Sequence, residues 1–367
     1  IERRDACLKQ KIEKYMLECI VFVCGAAIMV LELIAARVLS PYVGSSNIIW
    51  TSIIGVILIS MSLGYWYGGK LADKNPKRNL LSNIILLSAL FTSIIPLLEV
   101  SVVKKLALLI PNLGIVAILC SLLVFAIPSF LLATISPYAI RLKEASKENI
   151  GKVSGNLSAF STLGSIVGTF LSGFVLIPNM GVKSIILSLS ILLFLLAIFI
   201  YEEKTRKYCI AIFVLLLCML GFFFAGNYLF TLENPDIILD TDSEYSRIWV
   251  TRQEINGKSY QMLQVDTGLE SYIDEETKQM GAKYLEYYDL FECFNPEANH
   301  TLLIGGAAYT YPRHYLDKYP EKTMDVVEID SKMTKLAKEY FGLQESPRLR
   351  NLSSRWKNLF KCIYQKI

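Results

Sequence analysis

The sequence of 367 residues is 53% hydrophobic and 19% charged, with a formal net charge of +4, which is too apolar for a water-soluble domain of that length. The net charge hides two halves: residues 1–230 carry 20 basic and 11 acidic side chains, residues 231–367 carry 17 and 22, so nucleic acid is disfavoured as a partner of the second half. Two histidines and eight cysteines without zinc or disulfide spacing give no reason to expect a metal site or a disulfide framework.

In chain order, residues 1–16 hold five basic side chains and read as a cytoplasmic segment, followed by a transmembrane domain over 17–230. Its apolar stretches, about 17–39, 48–67, 80–98, 106–133, 153–177, 184–201 and 208–230, are each near the ~20 residues a helix needs to cross a bilayer. A removable signal peptide is not expected, because the first stretch is long and carries Glu32 and Arg37. Lys and Arg number four in 69–79, four in 141–152 and three in 202–207, against none, two and one in the alternate loops, which places the N-terminus inside. An ionised Glu within a span is costly unless it meets a partner or a wet cavity, so Glu32 is a candidate functional group. The alternative is that Glu32 pairs with a neighbouring helix while Arg37 snorkels to the headgroups. Gly164, Gly168, Ser172 and Gly173 recur at helical spacing and suit close helix packing.

The run Gly69-Lys70-Leu71-Ala72-Asp73-Lys74, with Lys77-Arg78 behind it, resembles the loop between the second and third helices of major facilitator superfamily transporters. That resemblance implies that Asp73 pairs with a neighbouring helix end and that the glycine permits close approach.

Residues 231–300 read as a β-hairpin unit with a helical lead-in. Residues 247–253 and 259–265 are β-rich and flank Asn256-Gly257, a strong two-residue turn signal; 274–293 reads as mostly helical and holds Tyr284, Glu286, Tyr287 and Asp289. Residues 301–350 then give strand 301–304, the turn Gly305-Gly306-Ala307-Ala308-Tyr309, a helix around 311–319 and strand 324–330. A strand, a small-residue turn, a helix and a second strand ending in an acid form the nucleoside-binding half of a Rossmann-like fold. Gly305 and Gly306 would let a nucleoside approach, and Glu328 can accept from both ribose hydroxyls. The third glycine of the dinucleotide fingerprint is absent, which argues against a pyrophosphate cofactor and for an adenosine with a sulfonium tail. Ser331 is placed to cap the helix running to Tyr340.

At this point the chain resembles the polyamine aminopropyltransferases (spermidine synthases), in particular their membrane-fused bacterial members. The matching pieces are Tyr245-Ser246-Arg247-Ile248, Val265-Asp266, Asp274-Glu275, Tyr284 with Glu286, the run from Ile304 to Pro312, Val327-Glu328-Ile329-Asp330 and Ala337-Lys338-Glu339-Tyr340-Phe341. The resemblance implies a multi-pass helical domain fused to a truncated α/β domain of the S-adenosylmethionine type. It implies transfer of an aminopropyl group from decarboxylated S-adenosylmethionine, as co-substrate, to putrescine or a related amine, with no metal and no further cofactor. Asp266, Glu270, Tyr284 and Glu286 would hold the cationic ends, and Gly305, Gly306, Glu328 and Asp330 the nucleoside. A homodimer and the lipid bilayer are the other expected partners. Typical members have Gln at the position of Glu270 and His at that of Leu285, so amine recognition here differs from theirs. Two rival readings remain: a facilitator-like transporter or binding protein with a degenerate nucleoside module, and an S-adenosylmethionine-dependent methyltransferase.

Typical members continue with an Asp-Gly-Arg turn and a strand bearing the acid that deprotonates the amine, so the catalytic acid is expected beyond the point where this sequence departs. The tail 351–367 reads as out of frame, since Arg355-Trp356-Lys357-Asn358 shifted by one base can encode Asp-Gly-Arg. With only two parallel strands, the domain as written would leave an apolar sheet edge bare. The first residue is Ile1 rather than Met, which leaves the N-terminal boundary open. An intracellular donor places the second domain in the cytoplasm and calls for an even number of crossings, in conflict with seven spans from an inside start.

Overall fold

The structure, a computed structural model, describes residues 2–143, 150–201 and 206–352, the side chains of 2–14 and 206–211 excepted. Of the tail expected to be out of frame, 351–367, residues 353–367 lie outside the described residues. The chain divides into two compact units, Ile1–Glu233 and Asn234–Ile367.

The first unit is helical: α1 (Glu2–Val43), α2 (Asn47–Lys74), α3 (Arg78–Leu109), α4 (Leu113–Lys143), α5 (Ile150–Asn179), α6 (Val182–Ile200) and α7 (Arg206–Glu233). Among the described residues, seven helices are long and apolar enough to cross a membrane. The expected boundary between the third and fourth spans is corrected. Residues 99–105, expected as a loop, are helical, because α3 continues past Pro96 through a π-helical turn, Glu99–Val103, a common way of absorbing a break in the backbone ladder. The chain turns instead at Pro111-Asn112, where the Asn112 side chain accepts from the backbone N–H of Ile115 at 3.1 Å and starts α4. Lys104, near the end of α3, pairs with Glu233 at the end of α7, 3.3 Å away.

Small residues decide how closely these helices approach. A Cβ on Gly164 would lie 1.9 Å from the carbonyl oxygen of Phe22, one on Gly168 2.5 Å from that of Ala26, and one on Gly25 2.3 Å from that of Ser161, so α1 and α5 touch backbone to backbone. Gly173 has nothing within 4 Å and takes no part. In the facilitator-like run, Asp73 pairs with Arg141 near the end of α4 at 3.1 Å. The close approach falls at Gly64 and Gly68, against the carbonyls of Phe130 and Thr134, and not at Gly69, which faces open space. Buried hydroxyls bond across helices, Ser82 to the Ala197 carbonyl at 2.7 Å and Ser190 to that of Ala89 at 3.0 Å.

The second unit has two sheets. The antiparallel sheet has the order β1 (Ile237–Asp242), β2 (Arg247–Ile255), β3 (Lys258–Val265), β4 (Gly268–Asp274). Its central hairpin turns at Asn256 and Gly257, with φ of 53° and 75°, as a primed two-residue turn requires. The parallel sheet has the order β5 (His300–Ile304), β6 (Thr323–Val327), β7 (Leu349–Asn351), with α8 (Thr310–Lys318) and α9 (Ser331–Tyr340) between successive strands. The expected two parallel strands are thus three, because Met324 to Val326 also pair with Leu349 to Asn351. β5 remains an edge strand among the described residues, with Leu302 and Ile304 exposed.

The expected helix over 274–293 is reduced to a 3-10 segment, Lys283–Leu290, and one turn, Phe291–Phe294. The Asp274 carboxylate accepts from the backbone N–H groups of Glu276 and Thr277 in a turn, after which Gln279 to Gly281 pair back with the end of β4 instead of continuing a helix. The antiparallel sheet packs on the turn after β5 and on α9 with the residue after it: Ile248, Val250, Leu263 and Ile273 meet Ala308, Met333, Leu336 and Phe341. Beside it, Arg247 holds Asp240 through two bonds of 2.8 Å, and the Trp249 indole N–H adds a third to the same carboxylate.

Candidate functional site

The site begins at the turn after β5. Gly305 takes φ of 89°, and Ala307 and Tyr309 lie at 46° and 56°, a left-handed region that costs a residue with a Cβ about 1 kcal/mol or more. Such strain persists where surroundings over-determine it, and two groups do so here. Tyr309 is fully buried and its hydroxyl meets that of Thr334 at 2.9 Å; burial pushes its phenol up to about 12. The Glu328 carboxylate accepts from the backbone N–H of Gly306 at 2.8 Å, of Ala307 at 3.0 Å and of Asp330 at 2.9 Å. One buried acid therefore ties the glycine turn to the end of β6.

A cavity of about 280 Å³ opens over this turn. Of the residues singled out in the sequence, it brings together Glu270, Tyr284, Gly305, Gly306 and Glu328. The Tyr284 hydroxyl donates to the backbone carbonyl of Glu270 at 3.1 Å, so the 3-10 segment and β4 close one side together. Burial, and then the charges of neighbouring Tyr288 and Glu270, raise the Tyr284 phenol. The remaining wall is largely apolar, with Val265, Leu285, Leu303 and Met333.

The other sequence candidates lie elsewhere. Asp266 forms the turn between β3 and β4 with φ of 48°, and its carboxylate accepts from the Arg247 backbone N–H at 3.1 Å. Asp330 caps α9, its side chain accepting from the Lys332 N–H at 2.9 Å; the expected cap, Ser331, is already the first helical residue. Glu286 is exposed and lines a second, polar cavity of about 460 Å³ with Arg313 and His314. Glu32 and Arg37 are half-buried in α1. The helical unit instead buries Glu99, which accepts from the Tyr42 hydroxyl at 3.2 Å, and Glu18, paired with Lys143.

Sequence reasoning did not single out Tyr288 and Tyr311, which line the first cavity with rings 5.1 Å apart and nearly perpendicular. The Tyr311 hydroxyl donates to Asp289 at 3.1 Å, and Asp289 also receives Lys318 at 2.7 Å. Burial pushes the Asp289 carboxyl up, but the Lys318 ammonium and the Tyr311 hydroxyl outweigh it and hold the group below the ordinary carboxylate range. Burial, with the Asp289 charge behind it, raises the Tyr311 phenol far out of the physiological range. The clue in the sequence was Tyr287-Tyr288 beside a tyrosine-rich helix start, which periodicity alone does not distinguish from a packed face.

The fold defines this unit as an α/β domain in which a strand, a glycine turn, a helix and a second strand are followed by a buried acid. No family model matches the chain. It is 33% identical over 79 residues to a polyamine aminopropyltransferase of Vibrio vulnificus (strain CMCP6), a match covering 22% of this chain and 26% of that protein; the chain thus spans about a quarter of the length of the curated relative it matches. A probable spermidine synthase from Corynebacterium glutamicum ATCC 13032 is 22% identical over 31% of this chain and 43% of its own, with a TM-score of 0.27. The likeness to spermidine synthases is at low identity and over part of the chain.

Proposed function

We propose that the α/β unit binds an adenosine bearing a sulfonium tail and that the reaction it serves is transfer of an aminopropyl group from decarboxylated S-adenosylmethionine to putrescine or a related amine. The observation that carries this reading is the charge of the cavity. Glu270 and Glu328 line it, and no Lys or Arg does among the described residues. Such a lining suits a donor that is purely cationic and offers nothing to the carboxylate that S-adenosylmethionine retains. In the transfer, a deprotonated amine attacks the methylene next to sulfur, the C–S bond breaks, and its electron pair stays on a neutral thioether. Positioning the two reactants supplies much of the rate enhancement.

Calorimetry of the full chain with methylthioadenosine tests the nucleoside site. Supplying decarboxylated and ordinary S-adenosylmethionine side by side then tests the chemistry. Consumption of the decarboxylated donor with amine supports aminopropyl transfer; methyl transfer from the ordinary donor replaces it with a methyltransferase. Amine uptake into vesicles without product replaces both with a transporter.

The helical unit is proposed to be embedded in the cell membrane as a multi-pass domain. Its outward residues include Phe170, Phe174, Leu195, Phe199, Phe213 and Phe224, each well exposed, as lipid contact demands. An intracellular donor puts the α/β unit in the cytoplasm, which requires an even number of crossings. The charge pattern and the meeting of the ends of α3 and α7 through Lys104 and Glu233 favour seven. Cys293 is exposed, and in a chain whose other cysteines are serine it decides the matter. Modification in intact cells by a membrane-impermeant maleimide overturns the cytoplasmic placement; protection until lysis supports it.

A further inference from the structure

Three tyrosines, Tyr284, Tyr288 and Tyr311, line the nucleoside cavity together with Glu270. Tyr288 and Tyr311 stand at 78° to each other, forming two walls of a corner, and Tyr284 is held to the backbone of Glu270. The hydroxyl of Tyr311 is committed to Asp289, so that residue offers its ring, rather than a free donor, to the cavity. The phenols of Tyr284 and Tyr311 are raised by burial, so both rings stay neutral across the physiological range and keep the electron-rich face that attracts a cation. The wall also holds aliphatic Val265, Leu303 and Met333, beside the hydroxyls of Ser271 and Thr310. Aromatic faces attract cations, onium groups above all. An ammonium held against ring faces gives up hydrogen bonds to water, whereas a sulfonium has no N–H bonds to lose.

We infer that Tyr288 and Tyr311 are specificity-determining residues that form, with Tyr284 and Glu270, a cage for the sulfonium charge, so that the site distinguishes the onium donor from its neutral thioether product. This rests on the nucleoside reading given above. The cage supplies a physical basis for turnover. The donor's charge is held by the rings and by Glu270, and when the C–S bond breaks that attraction is lost and the thioether leaves more readily.

The test compares two ligands on the full-length chain in detergent, decarboxylated S-adenosylmethionine and methylthioadenosine, by calorimetry in the absence of amine. The wild-type chain binds the sulfonium donor about tenfold more tightly than the thioether. Tyr288→Leu, at a position 47% exposed, lowers that ratio about threefold or more, the sulfonium donor losing more affinity than the thioether. Tyr311→Leu acts in the same sense, and Tyr288→Phe, which keeps the ring, retains the wild-type ratio. Because Tyr311 is buried, the Tyr288 pair of variants carries the decision if Tyr311→Leu does not fold. An unchanged ratio in Tyr288→Leu, or an equal loss of both ligands, overturns the cage and leaves the nucleoside site standing. Failure of the wild-type chain to bind methylthioadenosine at all overturns the nucleoside reading itself.

Discussion

Gly164 in the helical unit and Gly306 in the α/β unit both sit where a Cβ would collide, but with different neighbours. At Gly164 the obstacle is the backbone of Phe22 on another helix, 1.9 Å away; at Gly306 it is the ring of Tyr309, three residues along the same turn, at 2.6 Å. The first glycine sets how two long helices meet, and the second sets the shape of a turn. Polar groups follow the same division. In the helical unit some are used in pairs between helices, as in Ser82 with Ala197, Ser190 with Ala89 and Glu18 with Lys143, and others turn back on their own helix, as Thr92 does to the Ser88 carbonyl. In the α/β unit carboxylates and phenols converge on one cavity and on the backbone that frames it. A protein interior without water to compete rewards small surfaces and closed pairs; a ligand site needs groups left facing a space.

The sharpest way to break this comparison is at α1 and α5. Gly164→Leu should destabilise the helical unit by about 3 kcal/mol or more, since a backbone carbonyl cannot move aside as a side chain can. Gly173→Leu, with nothing within 4 Å, should stay within about 0.5 kcal/mol. Thermal unfolding in detergent measures both, and equal effects at the two sites would remove the distinction between contact and non-contact glycines.

Glu328 sharpens the other half of the comparison. Glu328→Gln should weaken methylthioadenosine binding by about 1–3 kcal/mol and also loosen the turn, because an amide cannot accept all three backbone N–H bonds. Affinity unchanged in calorimetry would show that the acid frames the turn without meeting the nucleoside.

A smaller effect is expected at the start of α9. Asp330→Ala should cost the α/β unit about 1 kcal/mol through loss of the bond to Lys332 N–H, and Asp330→Ser should recover most of it. Denaturant melts of the two variants that coincide would rule out a capping role.

The smallest effect is electrostatic. With Lys318 present, the folded-state value of Asp289 lies below its unfolded value. The resulting stability is therefore present above the ordinary carboxylate range, near pH 4, and is lost as pH falls through the folded value. Lys318→Met should remove about 0.5 kcal/mol at neutral pH, a discounted figure because Lys318 is half exposed, and the two chains should converge in stability as pH falls below 4. A difference that persists at low pH would assign the effect to packing.

Much of the architecture was legible in residue order. Charge-free apolar runs of bilayer length satisfy their backbones as helices when water is absent, and among the described residues seven helices of that kind occur. Asn256-Gly257 tolerates the positive φ of a hairpin, and the alternation of strand, small turn and strand announced β5, β6 and the turn between them. The break expected before residue 106 rests on a loop with two lysines, whereas the π turn continues α3 through that stretch and Glu233 receives Lys104.

Sequence by itself thus determined which stretches are apolar helices, where the α/β unit begins, and that a glycine turn would face an acid at the end of the next strand. It could do so because these features depend on periodicity, local φ preference and spacing. Tertiary structure alone decided that Glu270 and Tyr284 share a cavity with Glu328 while Asp266, Glu286 and Asp330 serve a hairpin, a second cavity and a helix cap. It also decided that Tyr288 and Tyr311 meet at a corner of that cavity. Those assignments depend on which side chains from the two sheets and the 3-10 segment arrive at the same point, and such distances are set by packing of elements far apart in the chain.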